Sequence, residues 1–455
     1  MTLEGKFVEY VYRTNYDDIP ATAIAVIKNQ LLGIFGTTVA GASAEGVDAL
    51  LQLTRSLGGK EEATILIHGG KATAQQAAFV NAVMARALDF CDALAPGAHI
   101  GSSVVPAALA AAELMGGCNG KDFLAAITVG NEAALRLNFG ESEYDGFDPT
   151  GVCVVFAATV AAAKILRLSE KETWNALALA FNRCGGSFQS NVDGSLAVRV
   201  IQGWVAESGV MCARFASKGI TGPANFLSGV YGYLHLFGRD RIAAETVSAK
   251  LGEQYLTDKL VYKKYPSCGL TQGCTEVILN LMKEEGIGPD DIGRVYVTVP
   301  PYTYKLVGSN FQVGNNPKVN AQFSIQFCVA NALLRGGSKL AHFEEAAIRE
   351  PEILKLTEKV EVISEPALEL VGHTPLEMRV VLKDGKELFR KMDEAPGFPK
   401  NPLTAAEHQE RFQSCMEFAT DPLPKEKTEE LMGVLAQLET MEDVRNLIPI
   451  LQIYK

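Results

Sequence analysis

The sequence predicts a mostly α-helical protein in which a large all-helical domain is joined to a smaller α+β domain. Apolar residues recur every three or four positions through most of residues 1–265, as they do on the buried faces of helices. Runs of β-branched residues typical of strands follow, and the helical pattern returns from Thr404. A chain of 455 residues is also longer than one ordinary core. We therefore expect a helical domain at 1–265 and 404–455, and an α+β domain at 266–403.

Helices account for the first domain. Pro20 follows two acidic residues and suits a first helical turn, so the first helix is predicted at 19–40. Later segments share an alanine-rich apolar stripe, which predicts helices at 73–90, 107–115, 122–139, 151–166, 171–180 and 203–218, and a further helical stretch after Gly222-Pro223. Because small side chains let helices approach closely, we expect a tightly packed helical core.

Strands and helices alternate in the second domain. The segments RVYVTVP at 294–300, VEVI at 360–363 and MRVVL at 378–382 have the β-branched composition of strands. Asp384-Gly385 predicts a tight turn that joins the last of these to a strand at 387–391. Helical patterns at 275–285 and 320–335 lie between the strands, which gives the α+β class.

Composition and charge exclude several classes of function. The net charge of −11 argues against a nucleic-acid-binding surface. The nine cysteines include no CxxC pair, so neither a structural metal site nor a disulfide framework is expected. The first residues lack the pattern of a secretory signal, and the apolar run at 152–163 is too short to cross a membrane. A soluble, cytoplasmic protein is predicted.

The segment 86–117, RALDFCDALAPGAHIGSSVVPAALAAAELMGG, carries the strongest chemical signal. Asp89 and Asp92 precede His99, and the chain then enters an alanine-rich helix. Imidazole and carboxylate groups can move protons near neutral pH, and the first turn of a helix attracts anions. The segment therefore predicts an enzyme that acts on a small acid.

Six segments, taken in order along the chain, resemble one known family. They are ALDFCD with HIGSSVVPAALAAAE, then GFDPTG, DGSLAVRVIQGWVAESGVMCARFASKGITGP, KKYPSCGLTQ, NAQFSIQFCVANALLRG, and the DG turn with PGFPKNPLT. They resemble the MmgE/PrpD family, which includes 2-methylcitrate dehydratases, cis-aconitate decarboxylases and iminodisuccinate epimerases. The resemblance implies a homodimer in which a helical domain carries an α+β lid. It also implies catalysis without a cofactor or metal on small di- or tricarboxylates.

The chain also departs from the family pattern. Asp89 and His99 keep the usual spacing, but other positions lose a group that takes part in proton transfer or polar contact. They are Cys91 in place of an acid, Ala93 in place of a threonine, Asp148 and Gln272 each in place of a histidine, and Val198 in place of a lysine.

Three residues are candidates for proton transfer. His99 is predicted to be the general acid or base, and the alternative is a histidine that only bonds the loop backbone. Asp89 is predicted to orient His99 or to hold a substrate hydroxyl or water; otherwise it caps the loop. Tyr144, in ESEYDGFD, is a candidate for a second proton-transfer group, against the alternative of a surface tyrosine.

Five residues are predicted to contact substrate. Arg199 and Lys263 stand at family positions, and Arg136 lies on a predicted helix; cations of this kind recognise carboxylates. Gln272 is expected to hydrogen-bond a substrate carboxylate, and Asp148 completes the set. A solvated or salt-bridged role is the alternative for each cation taken alone.

The leading hypothesis is a metal-independent acid/base lyase of the 2-methylcitrate dehydratase kind. The first alternative is an epimerase or isomerase that abstracts a proton next to a carboxylate, because such a reaction needs no activation of a leaving group. The second alternative is a catalytically silent family member that binds a carboxylate.

Overall fold

The computed structural model describes residues 1–140 and 146–453, and the chain divides into two compact units. Met1–Leu260 and Cys415–Lys455 form the first, here called the helical unit, and Val261–Ser414 form the second, called the mixed unit. These divisions differ from the boundaries expected at 265/266 and 403/404. The segment just after Leu260 and most of the helix that begins at Ala405 group with the mixed unit.

Helices make up most of the helical unit. Before the mixed unit begins, the described residues form α1 (Leu3–Arg13), α2 (Ala21–Gly41), α3 (Val47–Leu57), α4 (Ala74–Arg86), α5 (Gly101–Met115), α6 (Gly120–Leu137), α7 (Val155–Ile165), α8 (Glu170–Phe181), α9 (Gln189–Val192), α10 (Ala197–Ala216), α11 (Tyr233–Leu236) and α12 (Ala244–Ser248). A π-helical turn at Thr150–Val154 leads into α7. The strands β1 (Ala63–Thr64) and β2 (Lys71–Ala72) pair as a short antiparallel hairpin, and β3 (Asp92–Ala93) is a two-residue strand.

Small residues allow the helices to pack closely, as the composition predicts. Helix α4 packs against α2, α5 and α10, and α10 also contacts α7 and α8. At the α7–α10 contact a Cβ on Gly209 would lie 2.6 Å from Cβ of Ala158, closer than real side chains approach. A larger residue at Gly209 would therefore force these helices apart.

Helix α2 is, among the described residues, the helix long and apolar enough to cross a membrane by length and composition. It packs instead against α4, α5 and α6, and about two-thirds of its apolar window is buried. Gln30 in its middle is also buried and hydrogen-bonds Asp92 and Asn131. The burial and the polar contacts are those of a core helix.

Two helix predictions in this unit need correction. The predicted helix at 107–115 begins earlier, at Gly101, and contains Pro106. The helical stretch expected after Gly222-Pro223 is wrong, because that region consists of turns with only the short α11 and α12. A Cβ on Gly229 would lie 2.5 Å from Asn225 O, and one on Gly232 would lie 2.7 Å from Leu227 O, so glycine permits the tight turns found there.

The mixed unit combines a sheet with helices. Its helices are α13 (Gln272–Glu285), α14 (Pro301–Val307), α15 (Pro317–Gln322), α16 (Ile325–Arg335), α17 (Glu345–Ile348), α18 (Pro351–Thr357) and α19 (Ala405–Phe418), the last of which crosses the division between the units. Its strands are β4 (Val261–Tyr262), β5 (Ile292–Val299), β6 (Val360–Ser364), β7 (Leu376–Leu382) and β8 (Glu387–Met392). Two further helices, α20 (Lys425–Ala436) and α21 (Leu447–Ile450), belong to the helical unit.

The four longer strands form one sheet in the order β6-β5-β7-β8. Strand β5 runs parallel to β6 and antiparallel to β7, so that Val295 lies opposite both Val360 and Val380. These buried side chains pack with residues of α13 and α16 in one apolar core. The four predicted strands and the turn at Asp384-Gly385 are confirmed.

The predicted helix at 320–335 is interrupted. Helix α15 ends at Gln322, and α16 begins at Ile325. Ser324 separates them, because its hydroxyl accepts a hydrogen bond from Phe327 N at 3.2 Å and so caps α16.

Candidate active site

The loop between α4 and α5 holds His99. Helix α4 ends at Arg86, and Asp89 then adopts a left-handed conformation with φ of 54°, which turns the chain away from the helical path. Further on, Leu94 N donates to Ala98 O at 2.7 Å, and Ala98 N donates back at 2.9 Å. These two hydrogen bonds close the loop and position His99 just before the start of α5.

The hydrogen bonds of His99 assign its tautomer. The ring is buried, with 9% of the residue exposed, and Nδ1 lies 2.8 Å from the main-chain oxygen of Asp92. Because a carbonyl oxygen only accepts hydrogen bonds, Nδ1 carries the proton. In the neutral ring Nε2 is then the basic nitrogen. The Cys91 thiol lies 3.4 Å from Nδ1, and His99 N donates to Thr150 Oγ1 at 3.1 Å.

Asp92 caps the helix that follows His99. Its Oδ2 accepts hydrogen bonds from Gly101 N and from Gln30 Nε2, each at 3.0 Å. A Cβ on Gly101 would collide with this carboxylate, so glycine permits the close approach. Gln30 is held in turn by Asn131. The first N–H of α5 is therefore occupied by a carboxylate of the chain itself, at the helix end expected to attract an external anion.

Arg86 belongs to the site, although no sequence motif indicates a role for it. It is 4% exposed, and Nη1 lies 2.5 Å from Oδ1 of Asp89. Burial by itself would lower the pKa of the guanidinium, but the negative charges of Asp89 and Asp148 outweigh it and raise the pKa. In the sequence, the three-residue spacing of Arg86 and Asp89 indicates that the two side chains can pair. The spacing does not indicate that the pair is buried.

Asp148 lies beside this charged pair and caps the π-helical turn. Its Oδ1 accepts a hydrogen bond from Thr150 N at 2.9 Å. Burial raises the pKa of Asp148, while the Thr150 N–H and the charge of Arg86 act against that rise. Thr150 Oγ1 also accepts a hydrogen bond from His99 N, so Asp148 helps through Thr150 to hold the loop that carries His99. Its observed contacts are internal ones rather than those expected of a residue that faces substrate.

Arg136 is part of an internal network. Its Nε donates to Glu132 at 2.7 Å, and Nη1 and Nη2 donate to four main-chain oxygens, those of Val247, Ala249, Lys250 and Gln254. These contacts use all five donors of the guanidinium. The expectation that Arg136 binds substrate is therefore withdrawn, because it anchors the segment 247–254 to α6.

Gln272 also has an internal role, in the mixed unit. Its Oε1 accepts from Tyr265 N at 2.8 Å, and its Nε2 donates to Tyr265 O at 3.0 Å and to Ser267 O at 3.2 Å. The residue has no exposed surface. The amide thus braces its own loop, and we withdraw the expectation that it contacts a substrate carboxylate.

Arg199 and Lys263 are both buried cations. Arg199 lies on α10, and its Nη1 donates to Glu45 O at 3.5 Å. Lys263 belongs to the mixed unit, where its main-chain oxygen accepts from Arg411 Nε at 2.5 Å.

The candidate Tyr144 lies outside the described residues. In the part of the chain that is described, no group of three or more histidine, cysteine or acidic side chains is arranged to hold a metal ion.

Comparison with known proteins gives matches over both halves of the chain. Residues 5–245 match the MmgE/PrpD N-terminal domain, and residues 265–437 match the MmgE/PrpD C-terminal domain. Both matches keep the order of the family's two domains, and together they cover most of the chain.

Named relatives share about a quarter of their residues with this chain. Cis-aconitate decarboxylase from Homo sapiens is 27% identical over 391 residues, which cover 83% of this chain and 79% of the human protein. The Mus musculus enzyme of the same name is 25% identical, with coverage of 81% and 76%. The Aspergillus terreus enzyme is 24% identical, with coverage of 96% and 93%. Identity at this level relates the chain to these enzymes without assigning it their reaction.

Proposed function

The chain belongs to the MmgE/PrpD family, and from that premise we propose that it is a lyase that applies acid/base chemistry to a small di- or tricarboxylate. The named relatives are decarboxylases, and decarboxylation is a lyase reaction. The observation that carries the proposal is His99. Its Nδ1 donates to the Asp92 carbonyl, and we assign proton transfer to Nε2, the basic nitrogen of the neutral ring.

The finer proposal is a dehydration of the 2-methylcitrate dehydratase kind. Nε2 of His99 takes a proton from the carbon next to a carboxylate, and the electron pair of that C–H bond forms the carbon–carbon double bond. The neighbouring C–O bond breaks, and the departing hydroxyl takes the proton back from the imidazolium and leaves as water. One histidine can carry both transfers, because the proton removed from carbon is the one that the hydroxyl needs.

Dehydration suits the depleted set of side chains better than decarboxylation does. Loss of carbon dioxide leaves a carbanion that needs a proton from a separate donor. Two positions at which the family usually has such a donor lack one in this chain. Val198 is apolar, and the amide of Gln272 is hydrogen-bonded within its own loop. A reaction that recycles one proton on His99 needs neither group.

Two buried cations are proposed to bind the substrate carboxylates. Arg199 and Lys263 stand at family positions, and a guanidinium or ammonium group in a buried site stabilises a carboxylate strongly. Asp89 is proposed to support His99 while paired with Arg86. We also propose a cytoplasmic location, because none of the nine cysteines, all of which lie among the described residues, forms a disulfide. A homodimer is proposed as well, and sedimentation velocity would test it.

The test is a substrate panel followed by proton NMR in deuterated water. The panel contains 2-methylcitrate, citrate, cis-aconitate, malate and amino-diacids. The proposal expects loss of water with an alkene product, and it expects His99→Gln to lower kcat by about 10²-fold or more, the usual contribution of a general acid or base. The matched control is His235→Gln, because His235 is exposed and remote in sequence from this loop.

Other outcomes distinguish the alternatives. Exchange of a carbon-bound hydrogen for deuterium without loss of water would contradict the lyase proposal and favour an epimerase. Release of carbon dioxide from cis-aconitate would overturn dehydration but keep the lyase class. Binding of a carboxylate with no turnover, unchanged by His99→Gln, would favour a silent family member.

A further inference from the structure

Two neighbouring lysines, Lys263 and Lys264, follow strand β4 in the mixed unit. Lys263 is buried and is the residue proposed above to bind a substrate carboxylate. The ammonium group of Lys264 lies between two acids, with Nζ at 3.0 Å from Oε1 of Glu276 and at 2.9 Å from Oε1 of Glu407. Glu276 belongs to α13 and Glu407 to α19. One side chain therefore joins the segment after β4 to two helices.

Helix α19 contacts three successive residues of this segment. The ring of His408 packs edge-on against the ring of Tyr262, with the centroids 4.8 Å apart. Arg411 Nε donates a hydrogen bond to the main-chain oxygen of Lys263. Glu407 pairs with the residue that follows. Because Arg411 is three residues after His408 and four after Glu407, these side chains share one face of α19.

Both glutamates are fixed by a second donor. The hydroxyl of Tyr265 donates to Oε2 of Glu276, while Oε1 of the same acid contacts Lys264. Thr404 N donates to Oε2 of Glu407 at 2.8 Å, and Thr404 Oγ1 donates to the same oxygen at 2.9 Å. Each acid thus offers one oxygen to Lys264 and the other to a neighbour that holds it in place.

These contacts keep the groups in one charge state near neutral pH. Burial by itself would lower the pKa of Lys264, but Glu407 and Glu276 outweigh it and raise the pKa. Burial would raise the pKa of Glu407, but the Thr404 N–H and Lys264 outweigh it and lower the pKa to about 2. Burial and the charge of Glu276 raise the pKa of Tyr265, so its hydroxyl keeps the proton that it donates.

We propose that Lys264 is a positioning residue for substrate binding, which ties the segment 262–265 to α13 and α19 and neutralises Glu276 and Glu407. The inference rests on the proposed function, because it requires that Lys263 contacts substrate. Without Lys264, the charges of the two acids would attract the ammonium group of Lys263 and repel a substrate carboxylate. The neighbouring lysines therefore have different tasks, since Lys263 binds substrate and Lys264 does not touch it.

The first experiment separates KM from kcat with the substrate that the panel identifies. Lys264→Met is expected to raise KM about fivefold or more and to change kcat by less than about twofold, because the lost charge acts on binding and not on His99. Lys264→Arg keeps the charge and is expected to recover most of the loss. Adding Glu407→Gln to Lys264→Met removes one of the uncompensated acids and is expected to lower KM again. The matched control is Lys386→Met, which breaks an exposed pair with Glu285 and should leave KM unchanged.

Hydrogen exchange in the full chain tests the same inference without a substrate. Lys264→Met is expected to speed amide exchange in the peptide 261–268 about fivefold or more, and Lys264→Arg much less, while strand β5 exchanges as before. Unchanged exchange in the peptide 261–268 would overturn the inference.

A further variant, Lys263→Met, tests the proposed function separately. A KM raised by Lys263→Met but not by Lys264→Met would overturn only the positioning role of Lys264. A KM unchanged by Lys263→Met would overturn the proposed substrate contact, and this inference with it.

Discussion

A buried guanidinium and two buried carboxylates lie close to the loop that carries His99. Arg86 contacts Asp89 directly and interacts electrostatically with Asp148. Charges removed from water are costly unless they are paired, so each of these groups depends on the others. The positive charge of Arg86 is what makes two neighbouring buried acids tolerable.

We predict that Arg86→Met destabilises the protein by about 3–5 kcal/mol, because it removes the cation that neutralises the charge of the buried acids Asp89 and Asp148. Arg86→Lys keeps the charge and is expected to cost less. The free energy of unfolding from urea titration measures both changes. As a control, Arg349→Met breaks an exposed pair with Glu345 and should change stability by about 0.5 kcal/mol or less. Equal effects of Arg86→Met and Arg349→Met would contradict the pairing argument.

At the scale of elements, the start of α5 depends on one carboxylate from the preceding loop. Asp92 accepts from Gly101 N and from Gln30 of α2, and its main-chain oxygen accepts from His99. One residue thus joins two helices and the candidate catalytic ring.

We predict that Asp92→Ala costs about 2–3 kcal/mol of unfolding free energy, because it removes a helix cap and one of the two acceptors of the buried Gln30 amide, which keeps only Asn131. Ser169→Ala removes the exposed cap of α8 and is the comparison, with an expected loss of about 1 kcal/mol. Urea titration of both variants measures the difference. A loss for Asp92→Ala no larger than that for Ser169→Ala would count against the role of Gln30.

The loop ahead of α13 depends similarly on Gln272. Gln272→His restores the residue type usual in the family, but an imidazole cannot both accept from Tyr265 N and donate to Tyr265 O with the geometry of an amide. We predict a loss of about 1–3 kcal/mol in unfolding free energy and no gain of carbon dioxide release from cis-aconitate. A stable variant with new decarboxylase activity would show that this loop adapts to the histidine.

Two histidines of the mixed unit, His342 and His408, make the stability of the protein sensitive to acid. Burial, with the nearby Arg335 and Lys339, lowers the pKa of His342 to about 4. Burial and Arg411 likewise lower the pKa of His408 to about 4. Histidine in the unfolded chain has a pKa of about 6.5. Between about pH 6.5 and 4 these two histidines therefore bind protons in the unfolded chain but remain neutral in the folded protein.

The sign of the pH effect follows from these lowered pKa values. The stability contributed by the two histidines is present above about pH 6.5 and is lost as the pH falls through about 4. We predict that unfolding free energies measured at pH 7, 5.5 and 4.5 decline steadily, and that His408→Gln makes the decline shallower. His235→Gln, at an exposed position, should leave the slope as it is. An unchanged slope in His408→Gln would contradict the assignment to that residue.

The sequence predicted the elements of this fold more successfully than the roles of single side chains. Helix α2 and the strands β5 and β7 follow from periodicity, which is a local property of the chain. Arg136 and Gln272 were misjudged, because a donor group can be read from sequence but its acceptors cannot. For Arg136 the four main-chain acceptors lie more than a hundred residues further along the chain.

The fold class, the family and the segment that carries His99 can be predicted from the order of residues, since periodic patterns and ordered motifs are properties of one chain. The folded structure was needed to find that Arg86 is a buried counter-ion, that Asp92 caps α5, and which nitrogen of His99 is basic. Those outcomes depend on exclusion of water and on distances of about 3 Å between groups, and both are set by packing rather than by order along the chain.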